Sequence, residues 1–375
     1  MGPVGAVGPV KVLHVITGLA AGGAEQQLRS LLPHLRASCE VAVLTGRGAV
    51  AEAIERAGVP VHHVGMRGNR DLRAVGRLAR LMRGRRYDVV HTHLYRACVY
   101  GRLAARLADV PAIVATEHSI GHRHIEGRRL THPIRALYLA SERLGHRTVA
   151  VSPSVMERLA AWGVPRRRVV VIPNGLDGAA YRFDAGLRRR TRERLGLADD
   201  AFVVGGVGRL EPVKRFDRLI AAMPSPGRAT LLLVGSGSCE ARLREQARAL
   251  GVEQRVIFAG ESLDVRAMLS AMDVLVAPSA EETFGLAVVE ALASGLPVLY
   301  DACPAIDDLP PGSAPGARRV PPHRLAAELS ALAASPPARL APPDAVRFYD
   351  VRRQAEQLES LYLRLLGASP TEKER

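Results

Sequence analysis

The sequence predicts an α/β fold with parallel sheets, divided between two domains, and three observations carry that reading. Short apolar runs alternate with longer amphipathic ones, the pattern of strands joined by crossover helices. The rhythm runs through the first half of the chain and then restarts in the second. Finally, 375 residues exceed what one core holds, because single cores stop growing near about 250–300 residues.

The elements follow in order. Val12–Ile16, Val41–Thr45, Val61–Val64, Val89–His91, Ile113–Thr116 and Thr148–Val151 read as strands, and Val169–Pro173 closes the series. Ala24–Arg36, Ala51–Ala57 and Leu72–Met82 read as intervening helices. In the second half Phe202–Val207, Thr230–Val234, Val256–Phe258, Val274–Ala277 and Pro297–Tyr300 are the strands. Two such units imply two Rossmann-like domains facing each other. Pro173-Asn-Gly-Leu-Asp177 is rich in turn formers and marks the join, so the expected domains are 1–178 and 179–343. Pro-rich 304–345 interrupts the pattern, and Asp344–Leu366 reads as one last helix that closes the first domain.

Composition excludes several classes. Hydrophobic residues at 47% and charged residues at 24% are ordinary for a globular chain. No run of about 18 uncharged apolar residues suggests a spanning helix, and Met1–Val10 lacks the pattern of a signal peptide. Cys39, Cys98, Cys239 and Cys303 are widely spaced, which predicts free thiols in a reducing cytoplasm rather than disulfides or a zinc site. The net charge of +15 is unevenly placed. Residues 1–180 hold 26 Lys+Arg against 12 Asp+Glu, whereas residues 181–375 hold 26 against 25. A one-sided positive field predicts an anionic partner for the first half. Aromatics are only 4% and no base-reading motif occurs, which argues against nucleic acid.

Three segments could meet an anion. Thr17-Gly-Leu-Ala-Ala-Gly-Gly-Ala-Glu25 joins the first strand to the first helix, where glycines and helix N–H groups admit a phosphate. Its spacing is not G-x-G-x-x-G, so it is also simply a tight turn. Gly208-Arg-Leu-Glu-Pro-Val-Lys214 offers the Arg209 fork and the compact Lys214 charge, or two solvated surface charges. Ser279-Ala-Glu-Glu-Thr-Phe-Gly-Leu-Ala-Val-Val-Glu290 places Glu282 before a buried helix and Glu290 inside it. A carboxylate among Leu286, Val288, Val289 and Leu292 needs partners. Two sugar hydroxyls or one arginine would serve.

The histidines His91, His93, His118, His122 and His124 collect near predicted strand ends, where cleft contacts with substrate fit better than metal ligation. Met66 to Arg86 reads as a basic amphipathic helix, with Arg73, Arg77 and Arg80 on one stripe and Leu72, Val75, Leu78 and Met82 toward a core. Such a helix suits an anionic membrane surface or a solvated face.

Taken in this order, the pieces resemble the retaining glycosyltransferases of family 4, which have the GT-B fold. The most specific element is E-x7-E, Glu282 to Glu290, followed by Ala291-Leu-Ala-Ser-Gly-Leu-Pro-Val298. Asp88-Val-Val-His-Thr-His93, Val151-Ser-Pro-Ser154, Ile172-Pro-Asn-Gly-Leu-Asp177, Val207-Gly-Arg-Leu210 and Leu233-Val-Gly-Ser-Gly237 are similar to family landmarks. The resemblance implies a second domain that binds a UDP- or GDP-sugar and a first that binds the acceptor. Glu290 would hold the ribose hydroxyls, and Glu282 with backbone N–H groups near Phe284, Gly285 and Leu286 would contact the sugar. Arg209 and Lys214 would neutralise the departing diphosphate, with Gly22 and Gly23 closing on it from the first domain. His118 would contact the transferred sugar or reacting centre. No cofactor or metal is implied, in keeping with the lack of any D-x-D triplet. Retention implies an oxocarbenium-like state in which a diphosphate oxygen takes the acceptor proton. The chain departs from the family where a Gly-Gly pair is usual, carrying Pro304 and Ala305, with Asp308 at the acidic position.

The expected function is therefore sugar transfer to an acceptor hydroxyl in polysaccharide or lipid-linked glycan synthesis, on the cytoplasmic side and peripheral to the membrane. A soluble natural-product acceptor such as an aminocyclitol is the alternative. A non-catalytic binding protein and a sugar-nucleotide epimerase on the same fold are the others.

Overall fold

The computed structural model describes residues 9–20, 22–121, 124–126, 128–223 and 229–367. The chain divides into two compact units: one runs up to Ala20, from Ala24 to Gly175 and on from Val351, and the other holds Leu176–Asp350 together with Gly22 and Gly23, which the sequence reading assigned to the first domain.

The first unit is built on β1 (Lys11–Ile16), β2 (Ser38–Val43), β3 (Val61–His63), β4 (Val89–His93) and β5 (Ala112–Glu117). After a short antiparallel pair, β6 (His124–Ile125) and β7 (Arg128–Arg129), come β8 (Arg147–Ala150) and β9 (Val169–Val171). The seven long-range partners form one parallel sheet in the order β3-β2-β1-β4-β5-β8-β9. Helices cover both faces, which is why β4 and β5 are buried at every position. Helix Val351–Leu365 covers one face: Val351, Ala355, Leu358, Leu361 and Tyr362 recur at helical spacing and share a core with Val12, Val89, Ala112 and Val114.

Three sequence expectations are corrected here. The first helix is α-helical only over Gly23–Leu31 and tightens to a 3-10 turn at Leu32–His34, where Pro33 has no N–H to continue it. Leu72 does not face the core: it precedes helix Arg73–Arg85 and is 72% exposed, while Ala74, Val75, Leu78 and Met82 carry the buried stripe. Arg77 is not a solvated member of the basic stripe, because it donates to the Val64 and Gly65 carbonyls and pairs with Asp71 at 2.8 Å. Arg73 and Arg80 are exposed.

The second unit repeats the plan with β10 (Phe202–Val207), β11 (Ala229–Val234), β12 (Val256–Phe258), β13 (Val274–Ala277), β14 (Val298–Tyr300) and β15 (Ala317–Arg319). The order is β12-β11-β10-β13-β14-β15, all parallel. Strand β15 lies in the Pro-rich stretch read as an interruption; it pairs Val298 with Ala317 despite its prolines, which flank it. The polar segment after the join is anchored by charge. Arg192, fully buried in helix Ala185–Leu195, pairs with Asp273 at 2.8 Å and donates to the carbonyls of Ala271, Ala198, Asp199 and Ala201. The predicted final helix is in fact two, Asp344–Phe348 and Val351–Leu365. The Tyr349 N–H still donates to the Ala345 carbonyl at 3.2 Å, but its own carbonyl accepts from Leu176 N–H at 2.8 Å and Asp350 bridges to Leu176, which interrupts the helix there. No described helix is long and apolar enough to cross a membrane.

Close backbone approach fixes the loops at the top of the second sheet. Gly235 has φ +136°, and a Cβ there would sit 2.1 Å from the Gly208 carbonyl oxygen. Gly251 also has positive φ, +67°, but its Cβ would meet nothing. Gly235→Ala is therefore expected to cost about 3 kcal/mol or more, from strain plus overlap with backbone, against about 1 kcal/mol for Gly251→Ala. Urea unfolding of the two variants, followed by a probe in the second unit, checks the difference.

Candidate active site

In each unit the strand order reverses about its first strand, and the crevice that opens beyond the strand C-termini at that point is where ligands bind in such sheets. In the second unit this is the space beyond β10 and β13. The turn after β10 carries Arg209 and Lys214. It is held by Glu211, which accepts from Ser238 N–H at 3.0 Å and from its hydroxyl at 2.7 Å. The segment after β13 carries Glu282. Lys214 Nζ donates to Glu282 Oε1 at 2.5 Å, so two residues 68 positions apart meet. They line a cavity together with Val207, Ser279, Gly285 and Leu286. Arg209 is exposed and is not among the residues lining that cavity.

Gly285 opens helix Leu286–Ala293 with φ +100°, and a Cβ on it would fall 2.4 Å from Cys303 Sγ. Only glycine fits. The first N–H groups of this helix have no intrahelical acceptor by construction and carry the positive end of its dipole. Phe284 is buried edge-on against Tyr349, with ring centroids 4.9 Å apart. Its carbonyl accepts from Ala305 N–H at 2.8 Å. The loop that departs from the family pattern is thus packed onto the cavity wall as the short helix Pro304–Asp307, with Pro304 and Ala305 buried. Asp307 is used internally, accepting from Cys303 N–H at 3.0 Å and Tyr300 OH at 3.1 Å. Asp308 N–H donates to the Pro304 carbonyl at 3.0 Å.

Glu290 sits one turn along the same helix, 6% exposed. Its Oε1 accepts from Tyr181 OH at 2.9 Å, and no arginine pairs with it among the described residues. Burial raises its pKa to about 7, with the Tyr181 hydrogen bond opposing that rise. A carboxyl with one oxygen held and no cationic partner is suited to accept neutral hydroxyl donors.

Beyond β1, Gly22 precedes helix Gly23–Leu31 and Gly23 is its first residue. The histidines of the first unit form a cluster on the sheet face covered by helix Val351–Leu365. His14 on β1 is in register with His91 on β4, and His93 with Thr116 on β5. His14 Nδ1 lies 3.1 Å from His93 Nε2, and His93 Nδ1 lies 3.2 Å from His118 Nε2. His91 is held separately, its Nδ1 2.6 Å from Tyr362 OH and its Nε2 2.6 Å from Thr116 Oγ1. Burial pushes His14 down to about 3 and His118 to about 4, and holds His91 and His93 well below the ordinary range. All four are neutral at pH 7. Ring nitrogens of His14, His91 and His93 lie within 4.8 Å of one another, a spacing that could hold a metal ion. Both nitrogens of His91, however, already face hydroxyls. His124 is exposed on β6, and His122 lies outside the described residues.

On the opposite face of β5, Glu117 accepts from Tyr138 OH at 2.7 Å, beside the fully buried Arg102. Burial raises Glu117 to about 7, against the pull of Arg102. This pins the strand end from which His118 projects.

His14, Tyr362 and Tyr181 went unnoticed in the sequence. His14 carried a signal, a lone polar residue in the otherwise apolar strand Val12–Ile16. Tyr181 and Tyr362 carried none, since their contacts are set by tertiary packing.

The model for Glycosyltransferase Family 4 matches residues 21–179, and that for Glycosyl transferases group 1 matches residues 188–309. A UDP-Gal:alpha-D-GlcNAc-diphosphoundecaprenol alpha-1,3-galactosyltransferase of Escherichia coli is 27% identical over 238 residues, covering 61% of this chain and 62% of the relative. A GDP-mannose-dependent alpha-mannosyltransferase of Mycobacterium tuberculosis is 35% identical over 228 residues, covering 60% of this chain and 57% of the relative. The matched regions thus span about three-fifths of these relatives' lengths. The crystal structure of Anabaena HepE in complex with UDP and glucose superimposes with a TM-score of 0.81 at 24% identity, covering 94% of this chain and 99% of that one. With both family models matched in sequence order and two parallel-sheet Rossmann-like units, the chain belongs to the family 4-type glycosyltransferases of the GT-B fold.

Proposed function

We propose that this chain transfers a sugar from a UDP- or GDP-sugar to an acceptor hydroxyl, with retention of configuration and without a metal ion. The observation that carries the reading is the meeting of Lys214 and Glu282 on the wall of one cavity, at the N-terminus of the helix that bears Glu290. Glu290 accepts the ribose hydroxyls beside Tyr181. Glu282 and the N–H groups near Phe284, Gly285 and Leu286 hold the sugar. Lys214, with Arg209 from the same turn, and the glycines Gly22 and Gly23 meet the diphosphate. Fixed positive charge held where negative charge develops lowers the barrier more than any other single effect in many such reactions. His118 contacts the sugar or reacting centre. A diphosphate oxygen takes the acceptor proton, so no side chain has to act as base.

The E. coli and M. tuberculosis relatives are named for a UDP-sugar and a GDP-sugar respectively, which supports the donor class. The basic first half and the diphosphoundecaprenol acceptor in the first relative's name support an anionic, lipid-linked acceptor. Exposed Leu72 among exposed Arg67, Arg70, Arg73 and Arg80 is suited to rest on an anionic membrane.

Three outcomes are expected. Ribose hydroxyls donating to Glu290 favour its ionised form, so nucleotide binding releases a proton and affinity rises from pH 6 to pH 8 as the free carboxyl, near pKa 7, ionises. Calorimetry with UDP and GDP across that range should show this slope in the wild type and a flat, weaker response in Glu290→Gln. Lys214→Ala should lower kcat by about 10²-fold, the scale for losing one fixed stabiliser of developing charge, while EDTA leaves wild-type turnover unchanged. Liposome flotation should show binding to anionic vesicles at low salt that weakens when Arg73 and Arg80 are both replaced by Ala; no flotation of the wild type would remove the membrane reading.

A further inference from the structure

Glu290 differs from a carboxylate of this chain whose task is structural, and the difference lies in its partners. Asp273 has both oxygens taken, Oδ1 by Arg188 at 2.7 Å and Oδ2 by Arg192 at 2.8 Å and Val203 N–H at 2.7 Å. Glu290 is more deeply buried, yet it has a single donor, Tyr181 OH on Oε1 at 2.9 Å. Its Oε2 meets no donor among the described residues, and it is not sealed off as His14 Nε2 and Asn174 Oδ1 are. A buried carboxylate left this incomplete is costly unless a further donor arrives.

Tyr181 is held so that its hydroxyl stays in place. It ends the 3-10 turn Gly178–Tyr181, which Asp177 caps by accepting from Ala179 N–H at 3.0 Å. The flanking chain is pinned on both sides of the turn. Leu176 N–H donates to the Tyr349 carbonyl at 2.8 Å, and the Arg182 carbonyl accepts from Arg266 Nε at 2.7 Å. A Cβ on Gly178 would fall 2.7 Å from Val346 Cγ1, so the turn also lies flush on helix Asp344–Phe348. Tyr181 and Glu290 belong to the same compact unit, and their pairing is set within it.

The chemistry of the donor matters as much as its place. An arginine would engage both carboxylate oxygens as a fork and cancel the charge that attracts a sugar hydroxyl. A phenol O–H is a neutral, single donor: it stops the carboxylate from rotating and leaves Oε2 as an acceptor. We infer that Tyr181 is a positioning residue that aims the Glu290 carboxylate at the ribose diol of the donor. Through that pair the chain takes ribonucleotide donors and refuses deoxyribonucleotide ones, such as sugars carried on 2′-deoxythymidine diphosphate. This rests on the reading of Glu290 as the ribose contact, and it adds the residue that orients the contact and the donor class that is excluded.

The test is calorimetric titration of the full-length protein with UDP and GDP, and with the 2′-deoxy and 3′-deoxy forms of whichever binds more tightly. The wild type should bind the parent nucleotide at least about tenfold more tightly than either deoxy form, the scale of one hydrogen bond to a charged group. Tyr181→Phe removes the hydroxyl and keeps the ring. It should weaken the parent about tenfold and the deoxy forms much less, so that the selectivity falls toward one. Glu290→Gln should lose the selectivity as well. Adding Tyr181→Phe to it should cost nothing further, because the phenol acts only through the carboxylate. Equal weakening of parent and deoxy forms in Tyr181→Phe would reduce Tyr181 to packing and overturn the inference. Tighter binding of the parent by that variant would also overturn it, by making Tyr181 a competitor of the ribose. Selectivity that persists in Tyr181→Phe but is lost in Glu290→Gln would remove the role of Tyr181 and leave the Glu290 reading standing. A wild type that ignores only the 2′-hydroxyl would overturn the excluded donor class. One indifferent to both hydroxyls would remove the Glu290 reading, and the inference with it.

Discussion

Parallel pairing is the constraint on which the rest of this molecule depends. A parallel strand can be joined to its neighbour only by a crossover, and a sheet built outward from its first strand must send successive crossovers to opposite faces. In both units that happens beside the first strand, β1 in one and β10 in the other. Strand C-termini then gather at one edge, and the connections diverge there and leave space. Residues far apart in sequence arrive together for that reason alone. Lys214 and Glu282 follow neighbouring strands β10 and β13; His14 and His93 lie on adjacent strands β1 and β4, and His118 directly follows the next strand, β5.

The second unit shows how tightly such an edge is built. Gly208, Gly235 and Gly285 all have positive φ, and added Cβ atoms on the last two would fall inside neighbouring atoms. The loops are therefore packed backbone to backbone, with little room to reshape. Against that rigid wall, Pro304 and Ala305 in place of glycines form a short buried helix whose Ala305 N–H binds the Phe284 carbonyl. That hydrogen bond ties the loop to the residue preceding the helix-capping Gly285.

The first unit solves a different problem, the burial of polar groups under a helix. Four imidazoles, Thr116 and Tyr362 lie in a layer that is otherwise apolar, and they are tolerable because most of their polar atoms bond to one another. On the other face Glu117 accepts from Tyr138 OH, and Arg102 donates to the hydroxyls of Ser141 and Thr148. Such networks fix the strand ends from which these side chains project.

Much of this was legible in the chain itself. Apolar runs with a period set by their geometry marked the strands, and E-x7-E marked the helix that carries Glu290, because burying a carboxylate in Leu-Ala-Val-Val-Glu-Ala-Leu is too costly to be incidental. Local chemistry of that kind is written in neighbouring residues. What the tertiary structure decided is which distant groups meet. It brought Tyr181 to Glu290, split the last helix at Tyr349 by pairing it with Leu176, turned Leu72 outward and took Arg77 out of the solvated stripe. It also placed His14 against His93, a contact over 79 residues that no spacing rule reports. Sequence periodicity encodes which face a side chain takes, whereas partners across a sheet depend on strand order, and strand order is settled by the packing of the whole unit.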